Sequence, residues 1–163
     1  MPLSYGIESV YKIDALGQIE ASLQITPTFR PLPRFGFAIE LTKVADVMKF
    51  YAKGPHENYC DRNSGAYLAR YEGQVNDFLH DYLFPQENGN HTEARYLEVG
   101  DKLGVRVEAI DKPFEFSVHP YTMDALQEAQ HLHELVKTEN FTVNTRLFSV
   151  DIYGKVLRLY KFV

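Results

Sequence analysis

The side chains best suited to chemistry gather in two short polar stretches, Gly54-Pro55-His56-Glu57-Asn58-Tyr59-Cys60-Asp61-Arg62 and Leu83-Phe84-Pro85-Gln86-Glu87-Asn88-Gly89-Asn90-His91. Carboxylates, amides and a guanidinium match the paired hydroxyls of a sugar, and an aromatic ring suits the C–H face of a pyranose. His56, Glu57, Asn58, Arg62, Glu87, Asn88 and His91 are therefore the candidate carbohydrate-binding residues. A plainer account competes. Polar loop groups ordinarily satisfy one another, so Glu57, Asp61 and Arg62 could simply tie down irregular backbone between strands.

Other constellations carry less. His131 and His133 lie two apart, and on a helix such residues diverge to different faces without a ligand at the fourth position, so no metal site is assigned. Cys60 is the sole cysteine; it lacks a Cys-x-x-Cys partner and a patterned His, and no nucleophilic role follows. Arg62 and Arg95 could clamp an anion, but ion pairs with Glu57 and Glu93 are the simpler expectation. Glycoside cleavage with retention needs two carboxylates facing each other across the bond, ~5–5.5 Å apart. Nothing in the sequence marks one carboxyl as buried among apolar groups and another as solvated. No catalytic residue is assigned.

The elements that must position these loops are mostly strands. Apolar residues make up 45% and charged residues 24% of the 163, ordinary for one globular domain, while eleven Tyr, eleven Phe and no Trp tilt the chain toward sheet. Alternation predicts strands over Ser4 to Asp14 and Gln18 to Thr26, joined at Asp14-Ala15-Leu16-Gly17, with Tyr5, Ile7, Tyr11 and Ile13 on one face. Pro27 to Pro33 is a connection or sheet edge. Further strands are expected over Arg34 to Leu41, Val47 to Ala52, Glu93 to Val99, Gly104 to Ile110, Phe114 to Val118, Phe141 to Ile152 and Val156 to Phe162. Gln74 to Tyr82 holds a short helical turn, and Thr122 to Val136 reads as the one helix, capped by Thr122, with Leu126, Ala129 and His133 on a stripe. The expected fold is all-β with one helix, an antiparallel β-sandwich in a single domain over 1–163.

Charge and hydropathy exclude some partners. A formal charge of −5 without a basic cluster gives no footprint for nucleic acid. No apolar run approaches the ~18 residues of a membrane span, and the start has no charged-then-apolar secretion pattern, so a cytoplasmic location is expected.

Pro55-His56-Glu57-Asn58 and Pro85-Gln86-Glu87-Asn88 share the pattern Pro-x-Glu-Asn, an echo short enough to read as coincidence. In their full form, however, Gly-Pro-x-Glu-Asn-Tyr-x-Asp-Arg followed by Phe-Pro-x-Glu-Asn-Gly is highly specific. Together with Val10-Tyr11-Lys12-Ile13-Asp14, Leu32-Pro33-Arg34-Phe35-Gly36, Phe116-Ser117-Val118, Tyr121-Thr122 and the helix around Ala129 to Leu135, it resembles the C-terminal domain of the family 2 β-galactosidases, which some lactic-acid bacteria encode as a separate small subunit. The match runs from about Tyr11 to Asn144.

That resemblance implies a galactose-mutarotase-like supersandwich, non-catalytic, packed against a catalytic (β/α)₈ barrel that supplies the acid/base Glu, the nucleophile Glu and the Mg and Na sites. It implies no cofactor in this chain, a partner in the catalytic domain or large subunit, and only indirect contact with galactoside. The chain resembles the later half of that domain, and 145–163 is a diverged tail: Asp151-Ile152-Tyr153-Gly154-Lys155 stands where the family has a double-Gly, Trp-bearing loop. An incomplete sandwich of this kind is expected to self-associate. Three functions stay open at this point: a structural domain of a β-galactosidase, inactive alone; a free-standing carbohydrate-binding module; and a mutarotase-like enzyme using His56 or His91 with Glu57 or Glu87.

Overall fold

Period-two alternation becomes two packed antiparallel sheets. The computed structural model describes residues 6–26, 35–42, 46–146 and 155–162. Gly6–Ile13 (β1) and Ile19–Thr26 (β2) form the expected hairpin. Its turn is fixed by Asp14, whose Oδ1 accepts from the Leu16 and Gln18 amides at 2.8 and 2.9 Å, and by Gly17 at φ +78°. Ala38–Thr42 (β3), Met48–Gly54 (β4) and Tyr67–Gly73 (β5) follow, then a 3₁₀ turn over Val75–Phe78. The second half supplies His91–Ala94 (β6), Tyr96–Gly100 (β7), Gly104–Ala109 (β8), Phe114–His119 (β9), the helix Met123–Glu128 (α1), Asn140–Arg146 (β10) and Lys155–Phe162 (β11). One sheet has seven strands in the order β1-β2-β11-β8-β7-β4-β5, the other four in the order β3-β10-β9-β6. The tail that the resemblance sets apart thus contributes a central strand, β11 lying between β2 and β8.

The inner faces interdigitate. β4 alternates strictly, burying Met48, Phe50 and Ala52 while Lys49, Tyr51 and Lys53 stay half-exposed. Phe50 of the large sheet meets Phe116 of the small sheet edge to face, centroids 5.3 Å apart, and packs on Phe78 of the 3₁₀ turn at 5.0 Å. Leu97, Val99 and Val107 extend this layer from one side, and Phe114, Val118 and Val143 from the other. All six residues of β9 are buried, including Glu115, Ser117 and His119 on its second face.

Several sequence expectations need correction. The single strand expected over Glu93 to Val99 is two: β6 pairs with β9 in the small sheet, β7 with β4 and β8 in the large one, and the chain changes sheets at Arg95. Glu93 sits at φ +58° within a register break, the bend that lets one run serve both sheets. β5 was not anticipated, because Tyr67-Leu68-Ala69 does not alternate; it is a terminal strand held by β4. The helix expected over Thr122 to Val136 stops at Glu128. Thr122 does cap it, Oγ1 accepting from the Ala125 amide. Downstream, the Glu134 carboxylate accepts from the Gln130 and His131 amides and starts a separate 3₁₀ turn, Leu132–Glu134, so His133 leaves the stripe and is exposed while Leu126 and Ala129 are buried. Residues 1–5, 27–34 and 147–154 carry expectations that lie outside the described residues.

Because Phe50 bridges both sheets, Phe50→Ala should lower unfolding free energy by about 3–5 kcal/mol. Leu83→Ala, at a side chain 93% exposed, should stay within about 0.5 kcal/mol. Urea unfolding of the two variants tests this, and equal losses would refute the assignment of the core.

Candidate functional site

The two motif loops meet at one end of the sandwich, where β4 ends and β6 begins. Asn58 joins them. It is 1% exposed, and its Nδ2 donates to the Lys53 and His56 carbonyls at 2.9 and 3.0 Å while its Oδ1 accepts from the Thr92 amide and hydroxyl at 3.0 and 2.6 Å. The Asn58 amide donates to the Asn90 carbonyl at 2.7 Å, and Asn90 Nδ2 donates back to the Asn58 carbonyl at 2.8 Å and to Glu115 Oε2 at 3.1 Å. Asn88 repeats part of the pattern, Nδ2 donating to the Gln86 carbonyl and Oδ1 accepting from the His80 amide. The Pro-x-Glu-Asn echo therefore has a shared physical content: in both copies the Asn side chain folds back two residues and holds a distant amide.

Glu57 is the electrostatic centre. Its side chain is 9% exposed. Oε1 accepts from Arg62 Nη2 at 2.6 Å and from the Tyr82 hydroxyl, and Oε2 accepts from the Gly89 amide at 2.7 Å. Gly89 stands at φ +67°, where a Cβ would come within 2.6 Å of Leu79, so glycine is required to aim that amide. Burial raises the pKa of Glu57, but the Tyr82, Arg62 and Gly89 bonds outweigh it and hold the carboxyl below its usual range. Beside it, Glu87 pairs with Arg146. The Arg62 and Arg146 guanidinium carbons lie over the Tyr59 ring, 4.6 and 5.9 Å from its centroid. Tyr59 donates to the Glu87 carbonyl at 3.3 Å, and burial with the nearby Glu57 charge pushes its hydroxyl up to about 12.

The structure thus unites Glu57, Asn58, Arg62, Glu87 and Asn88. The expected pairs Arg62–Glu57 and Arg95–Glu93 are both present, at 2.6 and 3.2 Å. His56 and Asp61 are exposed. His91 faces the core: it is fully buried against Phe50, Phe78 and Phe116, with Nδ1 on the Lys53 carbonyl at 3.0 Å and Nε2 without a partner. A carbonyl can only accept, so Nδ1 carries the proton. Sequence reasoning missed Tyr82 and Arg146, since a lone Tyr and Arg outside the motifs carry no signal of their own; Asn90 lies within the second polar stretch but was not among the candidates. Among the described residues no group of three or more His, Cys, Asp or Glu could hold a metal ion.

Chemically, this is a closed set. Glu57 is ionised at neutral pH and already receives three donors, whereas a general acid needs its pKa raised. Glu57→Ala leaves the Gly89 amide and Tyr82 hydroxyl without their acceptor and should cost about 1–3 kcal/mol, read as a lower melting temperature. Because its folded pKa is depressed, its contribution is complete above the ordinary carboxylate range and is lost as pH falls through the folded value. An unchanged melting temperature at neutral pH would defeat this structural role.

His91 gives a second pH signature. Burial lowers its pKa from 6.5 to about 4. The unfolded chain binds the proton first, so the stability of neutral His91 is complete above pH 6.5 and is lost as pH falls toward about 4, worth about 3 kcal/mol at most. Thermal melts across that window should slope steeply for the native chain and less for His91→Phe. Parallel slopes would place the acid sensitivity elsewhere.

Comparison with known proteins places this geometry. The sequence matches the family described as beta galactosidase small chain over residues 2–151. A beta-galactosidase of Halalkalibacterium halodurans is 36% identical over 119 residues, 72% of this chain and 12% of that protein. One from Bifidobacterium adolescentis is 40% identical over 127 residues, 76% of this chain and 12% of that protein. One from Streptococcus thermophilus is 31% identical over 140 residues, 82% and 13% respectively. The chain thus matches only about an eighth of the length of these curated relatives. On this evidence it belongs to the beta-galactosidase small chain family.

Proposed function

We propose that this chain is the non-catalytic, carbohydrate-proximal part of a β-galactosidase, a domain whose motif loops fix the shape of one sandwich end so that it seats beside a catalytic barrel. The observation that carries this reading is the full occupation of the Glu57 carboxylate by Arg62, Tyr82 and the Gly89 amide. A group so engaged holds a loop; it is not poised to give or take a proton. Asn58 and Asn88, both buried and internally bonded, fit the same role. The barrel would supply the acid/base and nucleophilic carboxylates and the Mg and Na sites, with galactoside met only indirectly by this chain. The chain would correspond to the later half of the family's supersandwich domain, with 145–163 diverged from it. A cytoplasmic setting accords with the single cysteine; no helix among the described residues is long and apolar enough to cross a membrane.

A carbohydrate-binding module is the second reading, favoured by the Arg62 guanidinium lying over the Tyr59 ring and by the exposed His56 earlier in the same loop. The purified chain should match the buffer blank on a chromogenic β-galactoside, and galactose should leave its melting temperature unchanged. A galactose-dependent rise abolished by Arg62→Ala would establish the binding module instead. Turnover surviving rigorous removal of host enzyme would overturn the non-catalytic reading.

A further inference from the structure

The motif end of the sandwich is internally satisfied, but β1 at the far edge of the large sheet is not. All eight of its residues are exposed, with Ile7 at 59%, Tyr11 at 56% and Ile13 at 70%. Among the described residues it pairs with β2 alone, so its outer edge offers a row of backbone donors and acceptors. The phase of that row follows from the hairpin. The Asp14 amide donates to the Gln18 carbonyl at 3.1 Å, which makes 14 and 18 a hydrogen-bonded pair. In an antiparallel ladder such pairs alternate, so 12–20, 10–22 and 8–24 bond inward to β2. The N–H and C=O groups of Ile7, Ser9, Tyr11 and Ile13 therefore point outward.

We propose that β1 is the contact strand of a two-fold symmetric dimer of this chain, pairing antiparallel with β1 of a second copy about an axis through Val10. In that register Ile7 faces Ile13 and Ser9 faces Tyr11, all from the outward-pointing set, so each pair exchanges both backbone bonds. Glu8 then faces Lys12 twice, at non-hydrogen-bonded positions where side chains approach most closely, and Val10 faces Val10. The neighbouring registers that keep the backbone phase lose this match: centred on Ser9, Glu8 faces Val10; centred on Tyr11, Glu8 faces Asp14. The sequence Gly-Ile-Glu-Ser-Val-Tyr-Lys-Ile is thus self-complementary in charge and apolar pattern in one phase only, as an isologous contact requires. The odd side chains share the face on which Tyr11 meets Phe37 at 6.4 Å, so pairing gathers the isoleucines and tyrosines of both copies beside that contact. Among the described residues the pairing competes with the Lys12–Glu20 bond, 3.5 Å and largely exposed, and one ammonium can serve both carboxylates.

This dimer does not depend on the galactosidase reading. Sedimentation equilibrium of the full chain at micromolar concentration should show a monomer–dimer equilibrium. Glu8→Lys and Lys12→Glu should each weaken it about tenfold or more, by placing like charges opposite one another twice. Mixing the two variants restores complementarity at both sites and should restore the native dissociation constant, with melting curves verifying that each variant folds. Ser9→Pro, which removes an outward amide and leaves the β2 ladder intact, should also weaken the dimer. A strictly monomeric native chain overturns the proposal, as does a dimer indifferent to both charge reversals or one that mixing fails to restore.

Discussion

Asn58 has four hydrogen-bonding positions on its side chain and the fold uses every one, without water. Two of its partners lie on β4 of the large sheet and β6 of the small one, at Lys53 and Thr92. The amide therefore spans the mouth of the sandwich where hydrophobic packing ends. Apolar contact is non-directional and would let the sheets shear at this end; four directed bonds in a buried site set both separation and angle. The Asn58 amide bond to the Asn90 carbonyl, returned by Asn90 Nδ2 to the Asn58 carbonyl, then fixes the register of one loop on the other, and everything around Glu57 inherits that geometry.

With the backbone so placed, the charged residues have little freedom. Two carboxylates, Glu57 and Glu87, meet two guanidinium groups, Arg62 and Arg146, around one tyrosine ring. Balance of charge matters here because Glu57 and Arg146 are mostly shielded from solvent, and an uncompensated ion in such a place is expensive. Arg62 is half exposed and contributes less by itself. The stabilising acceptor of the cluster is the Glu57 carboxylate, which serves the Gly89 backbone amide.

Much of this was legible in the sequence, and the failures have physical causes. Alternation located β2, β4, β8 and β9 because each has a face toward the core, and it located β1 because the same pattern persists on a strand whose residues are all exposed. It could not reveal that Glu93 to Val99 changes sheets, since the inward face is apolar in both and only the left-handed Glu93 marks the bend. It overran the helix because Glu134 competes for amides that a continued helix would have used. At the site, the motif residues were visible as a group, yet their partners Tyr82 and Arg146 come from segments without a motif. His91 was grouped with the polar loop by sequence position, whereas the strand that begins there turns its ring into an aromatic cage. Composition identified the polar types; only the three-dimensional pairing tells a satisfied cluster from an open one.

The large sheet is also treated differently along its width. Over β5, β4, β7 and β8 the outer surface carries charge pairs, cross-strand between Lys49 and Glu72 at 3.0 Å and between Arg106 and Glu98 at 2.5 Å, and along β8 between Arg106 and Glu108 at 3.3 Å, while Arg106 also lies over Tyr96. Such a ladder is adapted to water: long side chains cover the strands and opposite charges alternate across them. The four strands of the small sheet pack against this part of the large sheet through Phe116, Phe114 and Val143. At the other end the hairpin β1–β2 has Ala21 and Leu23 buried on β2 but only exposed residues on β1, with Tyr11 reaching a single ring at its base. A seven-stranded sheet facing four strands must overhang, and the overhang here holds isoleucine and tyrosine where the rest of the sheet holds lysine and glutamate. The chain thus keeps one end of its sandwich chemically closed and leaves apolar surface at the other, and it is the closed end that contains the two polar motif loops.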